Sequence, residues 1–374
     1  MRVIKNARTD VVNKVMFLQS NAHKDVEGCD IMASISFEKF DVENTFLDPR
    51  RDFQPTVVKS QVRIDPLTGR TGHYSHFGAV QPQQLDLEKY LDRQGKGFCP
   101  FCGAHREAVT PKFPGDIIPE GRLARGEALL VPNLHPYDVY SSVCIMTRGH
   151  VVPLAQFSYD QLFDSFNLGL DFLKKVKDID PSLPYQIMGW NYMPPSGGGL
   201  VHPHQQYFAT GNPGNLFTDE LRASERFYKS YQKDYWSELV SIEQKSGRRY
   251  IGQLGDSHWL TSYVSLGVLG EILCVFPGVY CIDDFTAANV SELIAGLQKV
   301  FSYFSKAGIY SFNASLFFGS VGRRFFPAHF RIVPRTFLNT RDYATDQNFF
   351  QVLLQEPVSV VWPEDLCREV KSFF

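Results

Sequence analysis

Two histidines one residue apart, His202 and His204, flank Pro203 and are followed by Gln205 and Gln206. In an extended segment, residues two apart point to the same face. His202, His204 and Gln206 then line one side, and Pro203 and Gln205 face away. Directly before them lies Ser196-Gly-Gly-Gly199, whose backbone can approach a ligand closely. Such a set suits attack at phosphorus. A neutral imidazole is a fair nucleophile near neutral pH. Its attack on an α-phosphate gives a nucleotidyl-histidine, which divides one transfer into two. Charge that develops on the phosphoryl oxygens needs fixed donors. Gln206 and the amides of Gly197, Gly198 and Gly199 would supply them. The competing reading is a pair of strand histidines that satisfy polar needs or bind a metal. The glycine run and Gln206 favour phosphorus chemistry.

A second constellation is Cys99-Pro-Phe-Cys102. Cys-x-x-Cys is a tight chelate for a tetrahedral, thiophilic ion such as zinc, and two further ligands must come from distant residues. His150, just after Gly149, and His202 are the candidates. Taken alone, the motif is equally a redox pair or chance, but nothing around it resembles a thioredoxin-like unit. With zinc bound, His202 would serve the metal while His204 serves phosphorus, and the ion would stiffen the nucleophile's surroundings.

These residues need elements to position them. Ala128–Val131 and Val139–Met146 read as strands. Ser158 opens a helix with Gln161 as a capping box, and Leu162, Phe163, Phe166, Leu170 and Leu173 share one face. Tyr185–Trp190 is a strand, Pro194–Gly199 a loop, and Leu200–Phe208 is extended again. The order then repeats. Glu271–Phe276 is a strand, and the helix after Thr286 carries Val290, Leu293, Ile294, Leu297, Phe301 and Phe304 on one face until Gly308. Ser311–Phe318 is a strand, and a loop with Gly319 and Gly322 precedes Pro327-Ala-His329. Strand, helix, strand, glycine loop and histidine-bearing strand thus occur twice, as a duplication predicts. His329 matches His204, but Pro327 stands where the first copy has His202. One copy is chemically armed and the other structural.

The chain has 374 residues and a net charge of −2, which gives no bulk pull toward nucleic acid or membrane. Its length allows two similar halves around a substantial core. No apolar run is long enough to span a bilayer, and the N-terminus lacks a secretory pattern. The protein is expected to be cytoplasmic. Seven cysteines, mostly isolated, do not make a disulfide framework. Cys144, Cys274 and Cys281 read as buried hydrophobes, Trp190 as core, and His135 as structural. Asn191 is a candidate ligand contact. Arg323 and Arg324 flank the second glycine loop. A substrate phosphate, held across a dimer interface, and a solvated basic turn are equally good readings of them. Glu225 and Glu238 are metal or surface groups.

The sequence resembles galactose-1-phosphate uridylyltransferase of the histidine-triad superfamily, from about Arg63 to the C-terminus. The resemblance rests on Arg63-Ile-Asp-Pro-Leu-Thr-Gly-Arg70, Cys99-Pro-Phe-Cys102, Pro132-Asn133, Gly149-His150, Gly198-Gly-Leu-Val-His-Pro-His-Gln-Gln206, His258-Trp259, Pro327-Ala-His-Phe330 and the tail from Phe349 to Val370. It implies that His204 is uridylylated, that Gln206 binds the transferred phosphate, and that Cys99, Cys102, His150 and His202 hold a structural zinc. It also implies that Asn133 lies where the nucleoside is held, and that a homodimer works by ping-pong exchange between a nucleotide sugar and a sugar 1-phosphate. Two features depart from the family. Gly199 replaces a phosphate-contacting Ser, and His73-Tyr-Ser-His76 replaces a basic cluster after the Asp-Pro-Leu-Thr-Gly turn. Iron is not expected, because only His329 matches the histidines of a family iron site.

The expectation is an α+β protein of two pseudo-repeated histidine-triad-like halves, each a mainly antiparallel sheet with helices packed on it. Residues 1–60 form an extension, 61–215 the catalytic half with zinc, and 216–374 the structural half. The expected activity is transfer of a nucleoside monophosphate, UMP by resemblance, from a nucleotide sugar to a phosphorylated acceptor. Two rivals remain. One is a phosphorylase of nucleotide sugars or dinucleoside polyphosphates that uses inorganic phosphate. The other is a non-catalytic, zinc-stabilised nucleotide-binding protein.

Overall fold

A computed structural model of the chain describes residues 34–75, 82, 98–338 and 348–374. His76, Gly95, Gly97 and residues 1–33 lie outside that set. In chain order the elements begin with β1 (Lys39–Asp48), β2 (Gln54–Ile64), β3 (Thr71–Tyr74) and α1 (His105–Ala108). The first half follows, with β4 (Leu123–Arg125), β5 (Ala128–Pro132), β6 (Tyr140–Ile145), α2 (Tyr159–Ile179), β7 (Tyr185–Tyr192) and β8 (His204–Thr210). Two helices, α3 (Asn215–Tyr231) and α4 (Tyr235–Ser246), lead to the second half. That half has β9 (Tyr250–Leu254), β10 (Ser257–Thr261), β11 (Ile272–Val275), α5 (Ala287–Lys306), β12 (Phe312–Phe317) and β13 (His329–Pro334). The chain closes with α6 (Phe349–Val352), β14 (Val358–Ser359) and α7 (Pro363–Lys371).

The duplication is visible in the strand order. Ten strands form one sheet in the order β4-β5-β6-β8-β7-β12-β13-β11-β10-β9, and every neighbouring pair is antiparallel. Read outward from the centre, both halves have the same arrangement. They meet where β7 pairs with β12, and Gly189 opposite Ser315 marks a local two-fold. Ile187 pairs with Phe317 on one side of that point, and Asn191 with Asn313 on the other.

Both long helices start as their sequences dictate. Ser158 and Gln161 close a capping box on α2, and Thr286 and Asn289 close one on α5. Val290, Leu293, Ile294, Leu297, Phe301 and Phe304 of α5 are all buried. Each such side chain contributes roughly 1.5–3 kcal/mol by leaving water. Leu162, Phe166, Leu170 and Leu173 of α2 are buried alike, while Phe163 stays at the rim. Trp190 lies in this core, edge-on to Phe157, Phe166 and Phe312.

The opposite face of the sheet carries the site. Over the second half it is covered by α3 and α4, through Phe217, Leu221, Tyr235, Trp236 and Leu239. Over the outer first half it is covered by Cys99 and Phe101, against Leu129, Val131, Val143 and Ile145. Between these covers the face bears Gln206, Gly189 and Ser315 in a row across β8, β7 and β12. A Cβ built on Gly189 would meet nothing within 4 Å, so the row floors an open groove.

A separate four-stranded sheet, β1-β2-β3-β14, joins the Arg63–Arg70 turn to the C-terminal segment. Strand β2 runs across position 60. Arg63 lies over the rings of Tyr74, Tyr263 and Trp362 and makes a forked ion pair with Glu364 on α7. Asp65 closes the turn by accepting from the Thr68 amide and hydroxyl. No helix among the described residues is long and apolar enough to cross a membrane.

Candidate functional site

One correction to the sequence reading concerns the histidine strand itself. β8 begins at His204, and residues 200–203 bend before it. Pro203 has no N–H for a ladder, so His202 sits outside the strand. From His204 onward the expected alternation holds. Gln205 and Tyr207 turn toward α2, where the Tyr207 hydroxyl donates to Gln205 Oε1 and lies near the Ser165 carbonyl. His204 and Gln206 take the other face, over the groove.

The bend gives the two histidines separate tasks. His204 Nδ1 lies 2.9 Å from the His202 carbonyl. A carbonyl only accepts, so Nδ1 carries the proton and Nε2 keeps a bare lone pair. Among the described residues, Nε2 has no hydrogen-bond partner. Burial lowers the His204 pKa below the ordinary histidine value, against the opposing pull of the His202 carbonyl. The ring is thus neutral near pH 7, as a nucleophile must be. The Phe101 ring packs 5.7 Å from it, centre to centre.

His202 is fully buried and faces the cysteines. Its Nε2 donates to the Thr147 carbonyl at 2.8 Å, which leaves Nδ1 as the ligand atom. Nδ1 lies 3.4 Å from Cys102 Sγ and 3.9 Å from Cys99 Sγ, and His150 Nδ1 lies 3.1 Å from Cys102 Sγ. Ligand atoms of Cys99, Cys102, His150 and His202 all fall within 4.8 Å of one another. Bond lengths of about 2.3 Å to sulfur and 2.0–2.1 Å to nitrogen in a tetrahedron place neighbouring S and N atoms about 3.5 Å apart. The observed spacings fit that geometry, and two sulfurs with two imidazoles are the donor set zinc prefers. Burial pulls the His202 pKa down to about 4, which keeps its ring neutral for coordination.

The glycine loop is held from below. Pro194–Ser196 makes a short 3-10 turn, after which Gly197 adopts φ +82°. Gly198 lies against backbone, where a Cβ would come within 3.1 Å of the Asn191 carbonyl oxygen and 3.2 Å of that of Met193. Gly199 faces open space. Asn191 stands beside the loop, with its Oδ1 accepting from Asn313. Asn133 Oδ1 accepts from the His135 amide and shapes its own loop. Asn133 lies two residues beyond Val131, which pairs with Val143, and Val143 pairs with Gln206. Val143 and Val131 on that line are buried under Cys99 and Phe101.

Other predicted residues fall elsewhere. Arg323 and Arg324 are exposed. Arg323 lines a hollow with Tyr185, Asn212 and Arg222 beyond the far end of β8. That end is six residues from His204, about 20 Å along a strand. His73 pairs with Glu356 at 3.0 Å in the small sheet. Glu225 pairs with Lys229 on the surface of α3, and Glu238 accepts from Ser34 and pairs with Lys233. Cys144, Cys274 and Cys281 are buried. On the second half, His329 repeats the His204 geometry, with Nδ1 3.2 Å from the Pro327 carbonyl, but Trp236 stacks on it at 4.2 Å. Arg331, two residues on, pairs with Glu220. The sequence reading overlooked Asn313, which donates to the Ser196 carbonyl at the start of the glycine loop, and Arg335, which donates to Asn313.

No family model matches the chain. A protein of Archaeoglobus fulgidus, described as an uncharacterized protein, is 29% identical over 318 residues, covering 84% of this chain and 92% of its own. Among solved structures, an ADP-glucose phosphorylase from Arabidopsis thaliana with bound ADP-glucose aligns with TM-score 0.63 at 15% identity, over 83% of this chain and 98% of its own. A GalT-like protein of the same plant aligns with TM-score 0.62 at 15% identity and the same coverage. A uridylyltransferase aligns with TM-score 0.59 at 19% identity, again over 83% and 98%. The chain therefore has the galactose-1-phosphate uridylyltransferase type of fold, two histidine-triad-like halves of mainly antiparallel sheet with helices packed on them.

Proposed function

We propose that the protein is a nucleotidyltransferase that carries a nucleoside monophosphate on His204. The observation that carries this reading is the tautomer of His204. Its Nδ1–H is committed to the His202 carbonyl, and its Nε2 has no hydrogen-bond partner among the described residues. In the proposed reaction Nε2 attacks the α-phosphorus of a nucleotide sugar. The N–P bond forms, the bond to the bridging oxygen breaks, and sugar 1-phosphate leaves. A phosphate oxygen of the acceptor then attacks the same phosphorus and returns Nε2 to its bare state. Gln206 and the amides of Gly198 and Gly199 would receive the phosphoryl oxygens; the Gly197 amide, expected from the sequence to join them, is instead committed to the Pro194 carbonyl at 2.9 Å. Asn133 belongs to the proposed seat of the nucleoside. Cys99, Cys102, His150 and His202 would hold zinc, which when bound fixes His202 and, through its carbonyl, His204. A homodimer in which Arg323 or Arg324 serves the partner's substrate belongs to the same proposal.

The acceptor divides two versions. A sugar 1-phosphate makes the protein a hexose-1-phosphate uridylyltransferase-type enzyme with UMP as cargo. Inorganic phosphate makes it a phosphorylase. The position of His73 favours the second version, because His73 is engaged by Glu356 in the small sheet and supplies no cation to the groove. The test is intact-protein mass measurement after incubation with UDP-sugars and ADP-sugars. One acid-labile nucleoside monophosphate adduct is expected, absent from His204→Gly, which should still hold its metal. Release of the adduct by inorganic phosphate or by sugar phosphate then names the acceptor. Turnover undiminished in His204→Gly would sink the proposal, and no adduct from any donor would favour a binding protein without catalysis.

A further inference from the structure

We infer that Arg335 and Asn313, both from the second half, set which way the Asn191 amide faces, so that Asn313 is a positioning residue for the transferred phosphate. The inference rests on the proposed function for its chemistry, but its geometry stands alone.

The chain of contacts has a direction. Arg335 Nη1 lies 2.8 Å from Asn313 Oδ1. A guanidinium can only donate, so this contact fixes the oxygen of the Asn313 amide toward Arg335. The NH2 group must then point the other way. There it meets two acceptors, Asn191 Oδ1 at 2.6 Å and the Ser196 carbonyl at 2.9 Å. Because Asn191 accepts with its oxygen, its own NH2 group is turned away from Asn313. Among the described residues that group has no partner.

The register says where the Asn191 amide sits. β7 and β8 pair Met188 with Tyr207 and Gly189 with Gln206. The ladder ends there, and the same register carried two residues on directs Asn191 toward His204. The relay from Arg335 therefore ends in two N–H donors beside the nucleophile. A phosphoryl oxygen that gains charge as Nε2 attacks needs such donors. Reversing the amide would present an acceptor to the phosphate. The second contact of Asn313, to the Ser196 carbonyl, ties the start of the glycine loop to the same network. The half without a nucleophile thus acts on the site from 122 residues away in sequence.

The test is single-turnover labelling of His204 with the nucleotide sugar that labels the wild-type protein. Asn313→Asp keeps the oxygen for Arg335 and loses the donors. Asn191 must then turn its NH2 group toward the new carboxylate. Labelling should slow about 100-fold, the cost of one lost phosphoryl donor, with metal content unchanged. In an Asn191→Ala background the same change should cost no more than about threefold, because the relay acts through Asn191. Asn313→Ala serves if the aspartate variant does not fold, and should slow labelling about tenfold. Full multiplication of the two effects, or no effect of either Asn313 variant, would overturn the relay while leaving the proposed function in place. If the wild-type protein takes no adduct, the proposed function fails. The relay is then judged by amide hydrogen exchange at residues 197–199. Asn313→Asp should speed it about tenfold, and unchanged exchange would overturn the relay.

Discussion

His204 and His329 occupy the same place in the two halves, yet they lie under different covers. Each opens the last strand of its half, each pairs with the final residue of a neighbouring strand, Ile145 or Val275, and each directs Nδ1 to the carbonyl two residues back. What separates them is the cover. Above His329 lie Trp236, stacked at 4.2 Å, and Phe326, and beside it on the sheet is Phe317. Burial drives its pKa down to about 3. Helices α3 and α4 thus cover the second copy, and His329 is fully buried where His204 keeps a small exposure.

His329→Phe should therefore leave labelling of His204 unchanged. Phe is larger than His, and the exchange removes both the buried Nε2 that lacks a partner and the Nδ1–H directed to the Pro327 carbonyl. Stability should fall by about 1–3 kcal/mol, as enlarged core side chains cost. His204→Phe should abolish labelling at similar stability. Parallel denaturant titrations and adduct measurements check both halves of the expectation. Loss of labelling in His329→Phe would mean that the second half takes a direct part.

Metal removal should act through His202. Its Nδ1 faces the cysteines, its Nε2 holds the Thr147 carbonyl, and its own carbonyl holds His204. Cys102→Ser, or exhaustive chelation, should slow labelling about 10–100-fold, the usual cost of loosening a shell that orients a reacting group. The melting temperature should fall as well, because metal binding is part of the folding free energy. Elemental analysis beside labelling rates is the check. Equal rates with and without metal would detach the cluster from the chemistry.

The legible part of this protein was what short sequence spacings encode. Capping boxes at Ser158 and Thr286, the apolar faces of α2 and α5, and the Cys99–Cys102 pair were all visible because their partners lie within a few residues. The duplicated order was visible because each copy repeats those local signals. Strands β1 and β2 were not, because both faces of most of that ribbon meet water and leave no alternation to read. The start of β8 was placed too early, since Pro203 interrupts a run that otherwise looks extended. Asn313 and Arg335 carry no local signal at all. Only the pairing of β7 with β12 brings them to the glycine loop. Superposing the two repeats, which sets Asn313 against Ile187, gives no hint of a polar partner.

Gly198 and Gly199 should respond differently to substitution. A Cβ at Gly198 would press on the Asn191 and Met193 carbonyl oxygens at 3.1 and 3.2 Å, and backbone cannot swing aside as a side chain can. Gly198→Ala should displace the loop and slow labelling at least tenfold, at a stability cost of roughly 1–2 kcal/mol. Gly199→Ser meets open space and should fold normally. Its hydroxyl would add a donor near the phosphate, so labelling should be equal or faster. A severe loss in Gly199→Ser would place a substrate group where the loop is now empty.

Acid should release the C-terminal helix α7 through Glu364. Burial raises the pKa of this carboxylate, but hydrogen bonds and charge from Arg63, with Arg249 beside them, outweigh it and hold the value at about 2. Arg63 reaches it at 2.9 and 3.0 Å and Arg249 at 2.8 Å. In the unfolded chain the group titrates near 4.3. A folded value below the unfolded one means that the native state binds the proton less readily. The contribution is therefore full above about pH 5 and is lost as pH falls toward 2. About a third of the side chain meets solvent, so screening reduces the contribution to about 2 kcal/mol. Glu364→Gln should lower stability at pH 7 by that order and should flatten the stability curve between pH 5 and 2. It leaves Arg63 stacked on Tyr74 and Tyr263 but without its carboxylate. Denaturant unfolding of both proteins across that range is the measurement, and parallel curves would show that Glu364 is not the group whose protonation loosens the turn from α7.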